Sequence, residues 1–545
     1  MKNKWILYVT GFFSGMSVMA IELGASRLLA PYFSSSQIVW TIVIGTIMVA
    51  MALGNVLGGK MADKNKNPDK LFILLAFAAI WTGLIPFLGR YIIAGVALLL
   101  ALFVTTDYLM WAALVSCLLV FVFPLMILGM VTPNLVRFAV NGVNDSGKTV
   151  GIIEALNTIG SIIGTFLPTF VTIPSVGTAW TFLIFALCLF AVCIIYWLFR
   201  FIHKEKSKRI PSKAIVKGAI LVILSAVSIT CGVYSNNISA AFWESKVLYE
   251  GESIYNYLRV EEDDRSIYLS TNVLFGVQSI KMKDQGLTGM YYDYALASPS
   301  MAEKDGESLN VLILGLGTGT FATQCQTYFT SSSISGVEID QKIVDLAYKY
   351  FDLSDKVEVH VEDGRAFLSA SKEKYDVIMV DAYQDITIPF QMSSVEFFTL
   401  VRDHLTAKGN MVVNMNMHSS SEGGINDYLE GTIKHVFASV YTVKASGTNI
   451  ELFASDNYNV KDRLASSLSG ISDTSLKYMM RKVSDNLTEV KANSLILTDD
   501  KAPVELLGMR VLDDLIADEL SYYRGRLEGK SLPEIIQELL DGSLL

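Results

Sequence analysis

Glycines and acids recur in the second half of the sequence, each time at the end of an apolar run. The segment 311–320, VLILGLGTGT, is typical of a buried strand and a glycine turn, in which Gly315, Gly317 and Gly319 would let a ligand approach the backbone. Glu338 ends the next apolar run, where a carboxylate can accept hydrogen bonds from both ribose hydroxyls. The pattern predicts a site for an adenosyl group.

Two further apolar runs also end in acids. VEVHV precedes Glu362, Asp363 and Gly364, and YDVIMV precedes Asp381. Open α/β sheets bind ligands at the carboxyl ends of their strands, so we expect these groups beside the glycine turn, with Asp363 and Gly364 near the adenine amine. Asp385 adds a second carboxylate after the fourth strand.

The elements that must position these residues are strands alternating with helices. From about residue 241 short β-rich pieces precede this alternation, which predicts an α/β Rossmann-like, methyltransferase-type fold with a mainly parallel sheet. We expect a small β-rich subdomain over 241–300, an adenosyl-binding Rossmann-like domain over 301–460 and a helical C-terminal extension over 461–545.

The first 240 residues differ in composition from the rest. The 545-residue chain is 52% hydrophobic and 18% charged, with a mean hydropathy of +0.41, whereas about 25% charged is usual for soluble proteins. Residues 1–240 carry 17 Lys and Arg against 7 Asp and Glu, and residues 241–545 carry 27 against 46. The acidic excess of the second half argues against nucleic acid as its partner.

The basic first half predicts a multi-pass α-helical membrane domain in the cell membrane, with the lipid bilayer as its partner. Crossing a bilayer takes roughly 20 apolar residues. The shorter run 91–106 is an eighth candidate, so we expect seven or eight spans over 1–240. The seven longer runs lie near 5–26, 38–59, 70–89, 109–136, 149–173, 177–200 and 214–236.

Lysines and arginines concentrate in two connecting segments, near 60–70 and 200–213. The positive-inside rule places both segments in the cytoplasm. If 214–236 then crosses the membrane, the soluble half emerges outside. Three alternatives stay open: the rule fails locally, the last apolar helix does not cross, or the catalytic domain is external.

Two acids fall inside predicted spans. A carboxylate there costs about 2.5 kcal/mol or more, which makes Glu22 and Glu154 candidates for a functional site with an interior partner. Arg27 or Arg137 could be that partner. A purely structural ion pair near the headgroups is an equally good interpretation.

The sequence has no spacing typical of a metal site or a disulfide framework. The five histidines are scattered without paired-cysteine context, and four of the five cysteines lie in apolar runs. We therefore predict no metal.

The segment from about 245 to 440 resembles the spermidine synthase, or polyamine aminopropyltransferase, family. It shares V-E-I-D around Glu338, E-D-G around Asp363 and an acid-opened loop after the fourth strand. The whole chain, including E-L-G-A-S-R-L-L-A-P-Y (22–32) and D-A-Y-Q-D-I-T-I-P-F (381–390), resembles bacterial members with a transporter-like membrane half. The loop Gly59–Lys64 resembles the G-x-x-x-D-[RK] signature of major-facilitator transporters.

The resemblance implies that Gly315, Gly317, Glu338 and Asp363 hold the adenosyl group of S-adenosylmethionine or its decarboxylated form, as co-substrate. Thr318 stands where the family has an aspartate that grips the propylamine. The choice between the two donors therefore stays open.

The resemblance also implies that Asp381 is the catalytic aspartate and that Gln278 and Asp293 line the pocket. Tyr292 occupies the position of a family histidine. The implied reaction transfers an aminopropyl group to an amine acceptor, putrescine or a polyamine, and releases 5′-methylthioadenosine.

The residue types suit this chemistry. The reaction is an in-line attack by an amine on a carbon next to a sulfonium, so the site must deprotonate an ammonium and hold cations. Asp381, Asp385 and Asp293 could do both, and Tyr383 offers an aromatic face to a cation.

Two alternatives remain. The membrane half could transport a polyamine, nucleoside or sulfonium, with the soluble half as a sensor or coupled enzyme, or the same fold could be a methyltransferase. Assembly with further copies of the chain also stays open.

Overall fold

The computed structural model describes residues 4–508 and residues 525 and 530. Within that range it leaves out 34–35, 65–66, 102, 105–106, 141–145, 203–211, 243–245, 274–276, 285, 303–307, 383–387, 416–422 and 448. The chain divides into two compact units, unit 1 over Met1–Glu244 and unit 2 over Ser245–Leu545.

Unit 1 is helical throughout its described elements. A π-helical turn, Pro168–Thr172, joins the sixth helix to the seventh, and a short 3₁₀ turn, Ser235–Asn237, follows the last. The helices are α1 (Lys4–Phe33), α2 (Gln37–Lys64), α3 (Asp69–Ala101), α4 (Tyr108–Gly129), α5 (Val131–Ala139), α6 (Ser146–Leu167), α7 (Ile173–Ile202) and α8 (Ser212–Tyr234).

Six helical runs of the described chain are long and apolar enough to cross a membrane. The longest, Ser146–Ile202, has 57 residues, about 85 Å of helix and well over twice a bilayer core. Gly177, at φ 85° and ψ 171°, breaks this run into two arms. Counting these arms separately gives seven apolar segments.

The eighth predicted span is wrong as a separate segment. Residues 91–101 continue the helix that begins at Asp69, so α3 is 33 residues long. The sequence interpretation ended the span at Arg90 because a charge disfavours an apolar helix interior. Arg90 instead donates a hydrogen bond to the backbone oxygen of Ile238, which satisfies its head group without ending the helix.

Small residues let the helices of unit 1 approach closely. A Cβ added to Gly160 would lie 2.0 Å from the oxygen of Phe12, and one added to Gly54 would lie 2.2 Å from the oxygen of Met126. Gly59, by contrast, has open space around it. Backbone contact therefore explains the small-residue spacing on α2 and α6 without a ligand.

The contacts of α3 give the direction of the two helices beside it. At its start, Asp69 pairs with Arg200, the last basic residue of α7, at 2.7 Å. Ile80 accepts a hydrogen bond from Ser228 of α8 at 2.8 Å, and ten residues later Arg90 reaches Ile238. Thus α7 runs antiparallel to α3, and α8 runs parallel to it across the bundle.

Unit 2 begins with a four-stranded antiparallel sheet in the order β1-β2-β3-β4. Two one-turn helices, α9 (Tyr291–Ala295) and α10 (Ala297–Met301), lead into the larger sheet. The strands are β1 (Val247–Glu252), β2 (Tyr257–Glu262), β3 (Ser266–Ser270) and β4 (Ser279–Met282).

The larger sheet has eight described strands in the order β12-β10-β11-β9-β8-β5-β6-β7. Neighbouring strands within the group β5 to β9 are parallel to each other. Strands β10, β11 and β12 extend this sheet on one side with antiparallel pairing. The bounds are β5 (Leu309–Leu314), β6 (Ser332–Val337), β7 (Glu358–His360), β8 (Tyr375–Val380), β9 (Leu405–Met415), β10 (Ser439–Lys444), β11 (Ile450–Ser455) and β12 (Thr488–Glu489).

Helices cover both faces of this sheet, as expected for the predicted Rossmann-like fold. Alternate strand residues supply two cores, one with Met379, Val412 and Phe453 under α9, and one with Ile378 and Val413 on the other face. The helices are α11 (Thr320–Tyr328), α12 (Gln341–Tyr350), α13 (Gly364–Ala370), α14 (Val395–Asp403), α15 (Ile425–Val436), α16 (Val460–Ser467) and α17 (Thr474–Asn486).

The C-terminal extension is not only helical. After α16 and α17 the chain adds β12 to the edge of the large sheet, where Thr488 and Glu489 pair with β10. A two-residue strand is too short to leave an alternating pattern in the sequence. The fold of this segment is therefore tied to the Rossmann-like sheet.

Candidate active site

The glycine turn after β5 needs glycine at its first position. Gly315 has φ +90°, and a Cβ there would lie 2.5 Å from the backbone oxygen of Asp381. Gly319, at φ +87°, is the N-cap of α11. The turn thus brings the end of β5 against the end of β8, which places Asp381 beside the predicted adenosyl pocket.

The small sheet holds the other side of this turn. The backbone N–H of Thr318 donates to Ser279 Oγ at 3.1 Å, and Thr320 exchanges hydrogen bonds with the backbone of Ile280. The Thr318 hydroxyl is buried and has no partner among the described residues. It is therefore available to a ligand in the turn.

Glu338 spans the glycine turn and the loop after β6. Its carboxylate accepts hydrogen bonds from the N–H of Gly317 at 2.9 Å and from the N–H of Asp340 at 3.0 Å. Burial raises the pKa of Glu338 to about 7. Each oxygen keeps a second lone pair, so the group could still accept hydrogen bonds from ribose hydroxyls.

Asp363 begins the helix that follows β7. It caps α13 by accepting a hydrogen bond from Ala366 N at 2.9 Å, and Gly364 is the first residue of that helix. Arg365 forms a two-point ion pair with Asp499, at 2.8 and 2.7 Å. This pair lowers the pKa of Asp499 and ties the C-terminal segment to the edge of the predicted pocket.

Asp381 lies directly after β8, between two hydrogen-bond donors. The hydroxyl of Tyr291 donates to Oδ2 at 2.8 Å, and the amide of Asn414 donates to Oδ1 at 3.3 Å. Burial raises the pKa of Asp381 to about 7, and repulsion from Glu338 adds to the shift. A carboxyl group with a pKa near neutrality is suited to accept a proton.

Asp293 anchors the loop before α9. It is fully buried and accepts hydrogen bonds from the N–H and hydroxyl of Thr288, from the N–H of Gly289 and from Gln324. Three of these bonds end on Oδ1 and one ends on Oδ2, so Oδ2 keeps a second lone pair. The role of Asp293 in binding substrate stays a prediction.

The neighbouring predicted residues contact one another. Tyr292 is buried and donates from its hydroxyl to the backbone oxygen of Gln278 at 2.7 Å. The tyrosine that reaches Asp381 is thus Tyr291, one residue before the position singled out by the resemblance. Asp385 and Tyr383 lie outside the described residues.

The candidates in unit 1 lie on two helices. Glu22 and Arg27 are both half-buried on α1. Glu154 lies on the exposed face of α6, about two helical turns from the start of that helix at Ser146. A functional site and a structural ion pair both stay predictions for these acids.

No group of three His, Cys, Asp or Glu side chains is arranged to hold a metal ion in the described part of the chain. The prediction of a metal-free site is not tested by this finding.

Comparison with known proteins adds the family. Residues 290–453 match the model of the spermine/spermidine synthase domain. A probable polyamine aminopropyl transferase of Bifidobacterium longum (strain NCC 2705) is 50% identical over 351 residues, which are 61% of this chain and 76% of that protein. The chain belongs to the polyamine aminopropyltransferase family. It is a transferase, and its unit 2 has the Rossmann-like methyltransferase fold of that family.

Other members are more distant. A polyamine aminopropyltransferase of Oceanobacillus iheyensis is 29% identical over 265 residues, 47% of this chain and 49% of the relative. The crystal structure of a probable spermidine synthase from Corynebacterium glutamicum ATCC 13032 is 22% identical, with a TM-score of 0.37, covering 46% of this chain and 96% of that one. Residues 290–453, which match the family model, lie within unit 2.

Sequence reasoning about this aminopropyltransferase missed two polar residues of the site. Asn414, on β9, contacts Asp381, and Glu451, on β11, is fully buried opposite Asn414. Asn414 is the last residue but one of β9 and Glu451 is the second residue of the antiparallel strand β11, whereas the sequence prediction considered only groups that follow the carboxyl ends of parallel strands. A charged residue within the run IELFA was the signal that could have pointed to Glu451.

Proposed function

We propose that unit 2 transfers an aminopropyl group from decarboxylated S-adenosylmethionine to an amine acceptor of the putrescine or polyamine class. The acceptor nitrogen attacks the propyl carbon next to the sulfonium. The carbon–sulfur bond breaks, the sulfur keeps the electron pair, and 5′-methylthioadenosine leaves. Asp381 takes the proton that the acceptor ammonium loses, while Tyr291 and Asn414 hold its carboxylate.

The observation that carries the proposal is a set of buried acids without basic partners. Among the described residues no Lys or Arg forms an ion pair with Asp381, Glu338 or Glu451. Burial raises the pKa of all three, and no described Lys or Arg side chain is paired with them to offset the cost of burying their charge. A sulfonium and an ammonium would supply that compensation.

The same charge pattern favours an aminopropyltransferase over a methyltransferase. The decarboxylated donor carries two positive charges, whereas intact S-adenosylmethionine also carries a carboxylate. Acids without basic partners would repel that carboxylate, and the Thr318 hydroxyl is a neutral partner for it at best. Relatives with aminopropyltransferase names support the same choice.

Product analysis tests this function. Purified full-length protein in detergent is incubated with each donor plus putrescine or spermidine, and the nucleoside products are separated. We expect 5′-methylthioadenosine from the decarboxylated donor and none from Asp381→Asn. S-adenosylhomocysteine from the intact donor would instead support a methyltransferase.

We also propose that unit 1 spans a membrane. Its helices expose large apolar side chains that water would not favour, and lipid would cover them. Examples from four helices are Met48, Phe166, Phe201 and Val222, whose side chains are 67%, 58%, 69% and 69% exposed. Transport by this unit stays a prediction.

One end of unit 1 is basic. Here α3 begins and α7 ends, and ten of the 17 Lys and Arg of residues 1–240 fall in the sequence segments 60–70 and 200–213 that include these two helix ends. The positive-inside rule assigns this end to the cytoplasm.

The direction of α8 then determines where the chain leaves unit 1. Because α8 runs parallel to α3, it starts at the basic end and finishes at the other. There Ile238 accepts from Arg90, and Ala240 accepts a hydrogen bond from Tyr32 near the end of α1, at 2.8 Å. Of the three alternatives, an external catalytic domain agrees best with this packing, so we propose that catalysis takes place on the non-cytoplasmic side.

Reporter fusions test this orientation. A reporter that is active only outside the cytoplasm is fused after residue 240, and a matched fusion is placed within 203–209. We expect activity from the first fusion and none from the second. The reverse result would contradict the proposed orientation. So would a cytoplasmic location of both positions, seen as no activity of this reporter at either position and activity of a cytoplasmic reporter at both.

A further inference from the structure

Glu451 is a buried acid with no partner in the described part of the chain. Its exposure is 0%, and neither carboxylate oxygen accepts a hydrogen bond there. Other buried acids of unit 2 are satisfied: Asp376, for example, accepts from Asn310 N at 3.0 Å and from the Thr406 hydroxyl at 2.9 Å. An unpartnered buried carboxyl is costly, so its presence calls for a ligand.

Strand register places Glu451 in a row with the proposed base. Val380 of β8 pairs with Val413 of β9, so Asp381 and Asn414 come next on these strands. Asn414 pairs directly with Glu451 of β11. Asp381, Asn414 and Glu451 therefore lie side by side on three adjacent strands, at the edge where the glycine turn also ends.

The three side chains also share one face of the sheet. The residues two positions away on each strand, Met379, Val412 and Phe453, belong to one core under α9. Directly paired residues of neighbouring strands point to the same face. The amide nitrogen of Asn414 donates to Asp381, and Asn414 Oδ1 has no partner among the described residues. Together with the two carboxylate oxygens of Glu451 it leaves three acceptors free for a ligand.

We propose that Glu451 binds the far amino group of a diamine acceptor whose near amino group is at Asp381. Adjacent strands lie about 4.8 Å apart, so the backbones at Asp381 and Glu451 are on the order of 10 Å apart. That span suits a short diamine with a hydrogen bond at each end. The row thus selects diamines over monoamines, an inference that rests on the proposed function.

Paired amines test the role of Glu451. Putrescine and butylamine have the same carbon chain, but butylamine lacks the second amino group. We expect Glu451→Gln to raise KM for putrescine about tenfold to a hundredfold, as expected for a lost hydrogen bond between charged groups, with kcat and the butylamine KM little changed. Asp376→Asn, which removes a buried acid at the other end of β8, is the control and should leave the ratio between the two amines unchanged.

Binding measured by calorimetry keeps this inference separate from the proposed reaction. Wild type should bind putrescine more tightly than butylamine, and Glu451→Gln should remove the difference even if no product forms. Loss of product formation with this binding difference intact would count against the reaction alone. Equal weakening of both amines, or no change for either, would overturn the role of Glu451.

Discussion

The pKa of Asp381 makes the activity depend on pH in a way that Tyr291 should control. Asp381 must be ionised to accept a proton, and burial raises its pKa to about 7. We therefore expect kcat/KM for the acceptor, which reports the free enzyme, to fall about tenfold per pH unit below pH 7. The Tyr291 hydroxyl donates to Asp381 at 2.8 Å and favours the ionised form.

Tyr291→Phe removes that hydrogen bond. A hydrogen bond to a charged group contributes about 1.5–3 kcal/mol, or about one to two pKa units. The acid limb of the profile, which is the pH range where kcat/KM falls as pH is lowered, should move to higher pH by that amount. The value of kcat/KM at high pH should be largely kept. The assay is the rate of 5′-methylthioadenosine release from pH 5 to pH 9.5.

A matched control comes from the same helix. Tyr294 accepts a hydrogen bond from Lys482 at 2.6 Å rather than contacting Asp381. Tyr294→Phe should therefore leave the acid limb in place. An unmoved limb in Tyr291→Phe, or equal shifts in both variants, would refute the proposed contact.

Substrate cations should shift the same limb in the opposite direction. One positive charge about 4 Å from Asp381 is worth about 4 kcal/mol at an effective dielectric constant of 20, or about three pKa units. The profile of kcat, which reports the ternary complex, should thus have its acid limb well below that of kcat/KM. Identical limbs would mean that no cation approaches Asp381.

Two further substitutions test the raised pKa of Asp381 in the free protein and the binding of the donor by Glu338. Because the pKa of Asp381 is raised on folding, its ionisation lowers the free energy of unfolding as pH rises from about 4 to about 7. Asp381→Asn should therefore raise the melting temperature at pH 8 and not at pH 4. No pH-dependent difference would contradict the raised pKa. Glu338→Ala should weaken donor binding about tenfold to a hundredfold by calorimetry, because it removes the acceptor for the ribose hydroxyls and frees Gly317 N. Unchanged donor affinity would exclude the ribose role of Glu338.

The fold of unit 2 and the glycine turn of its proposed adenosyl site could be predicted because their signals are local. A glycine turn needs positive φ at fixed positions, and strand ends must carry the ligand groups, so Gly315, Glu338 and Asp381 are visible in the sequence. Asp293 looked equally suitable by residue type. Its carboxylate accepts hydrogen bonds from Thr288, Gly289 and Gln324, and such a loop contact leaves no periodic signal.

The row of Asp381, Asn414 and Glu451 could not be predicted for a related reason. It depends on the pairing of β9 with β8 and β11, which brings together three residues that are more than thirty positions apart in sequence. Register follows from the apolar faces of paired strands and from the turns between them, so it cannot be obtained from one strand alone. In unit 1, likewise, the parallel packing of α8 on α3, which supports the proposed orientation, has no counterpart in the hydropathy of the single helices.

The acid at the family position of Thr318 is not needed if charge alone selects the donor. A donor carboxylate about 8 Å from one ionised acid would meet a repulsion of about 2 kcal/mol at an effective dielectric constant of 20, about thirtyfold in affinity. Asp381 and Glu338 together would exceed this when both are ionised. The ratio of the two donor affinities depends on the pKa values of these acids in the two complexes, and the carboxylate of the intact donor holds those pKa values above the ones in the complex with the decarboxylated donor. Selectivity for the decarboxylated donor that grows as pH rises through these bound-state pKa values would therefore be produced by the buried acids, whereas a contact of Thr318 with the donor would give selectivity that does not change with pH.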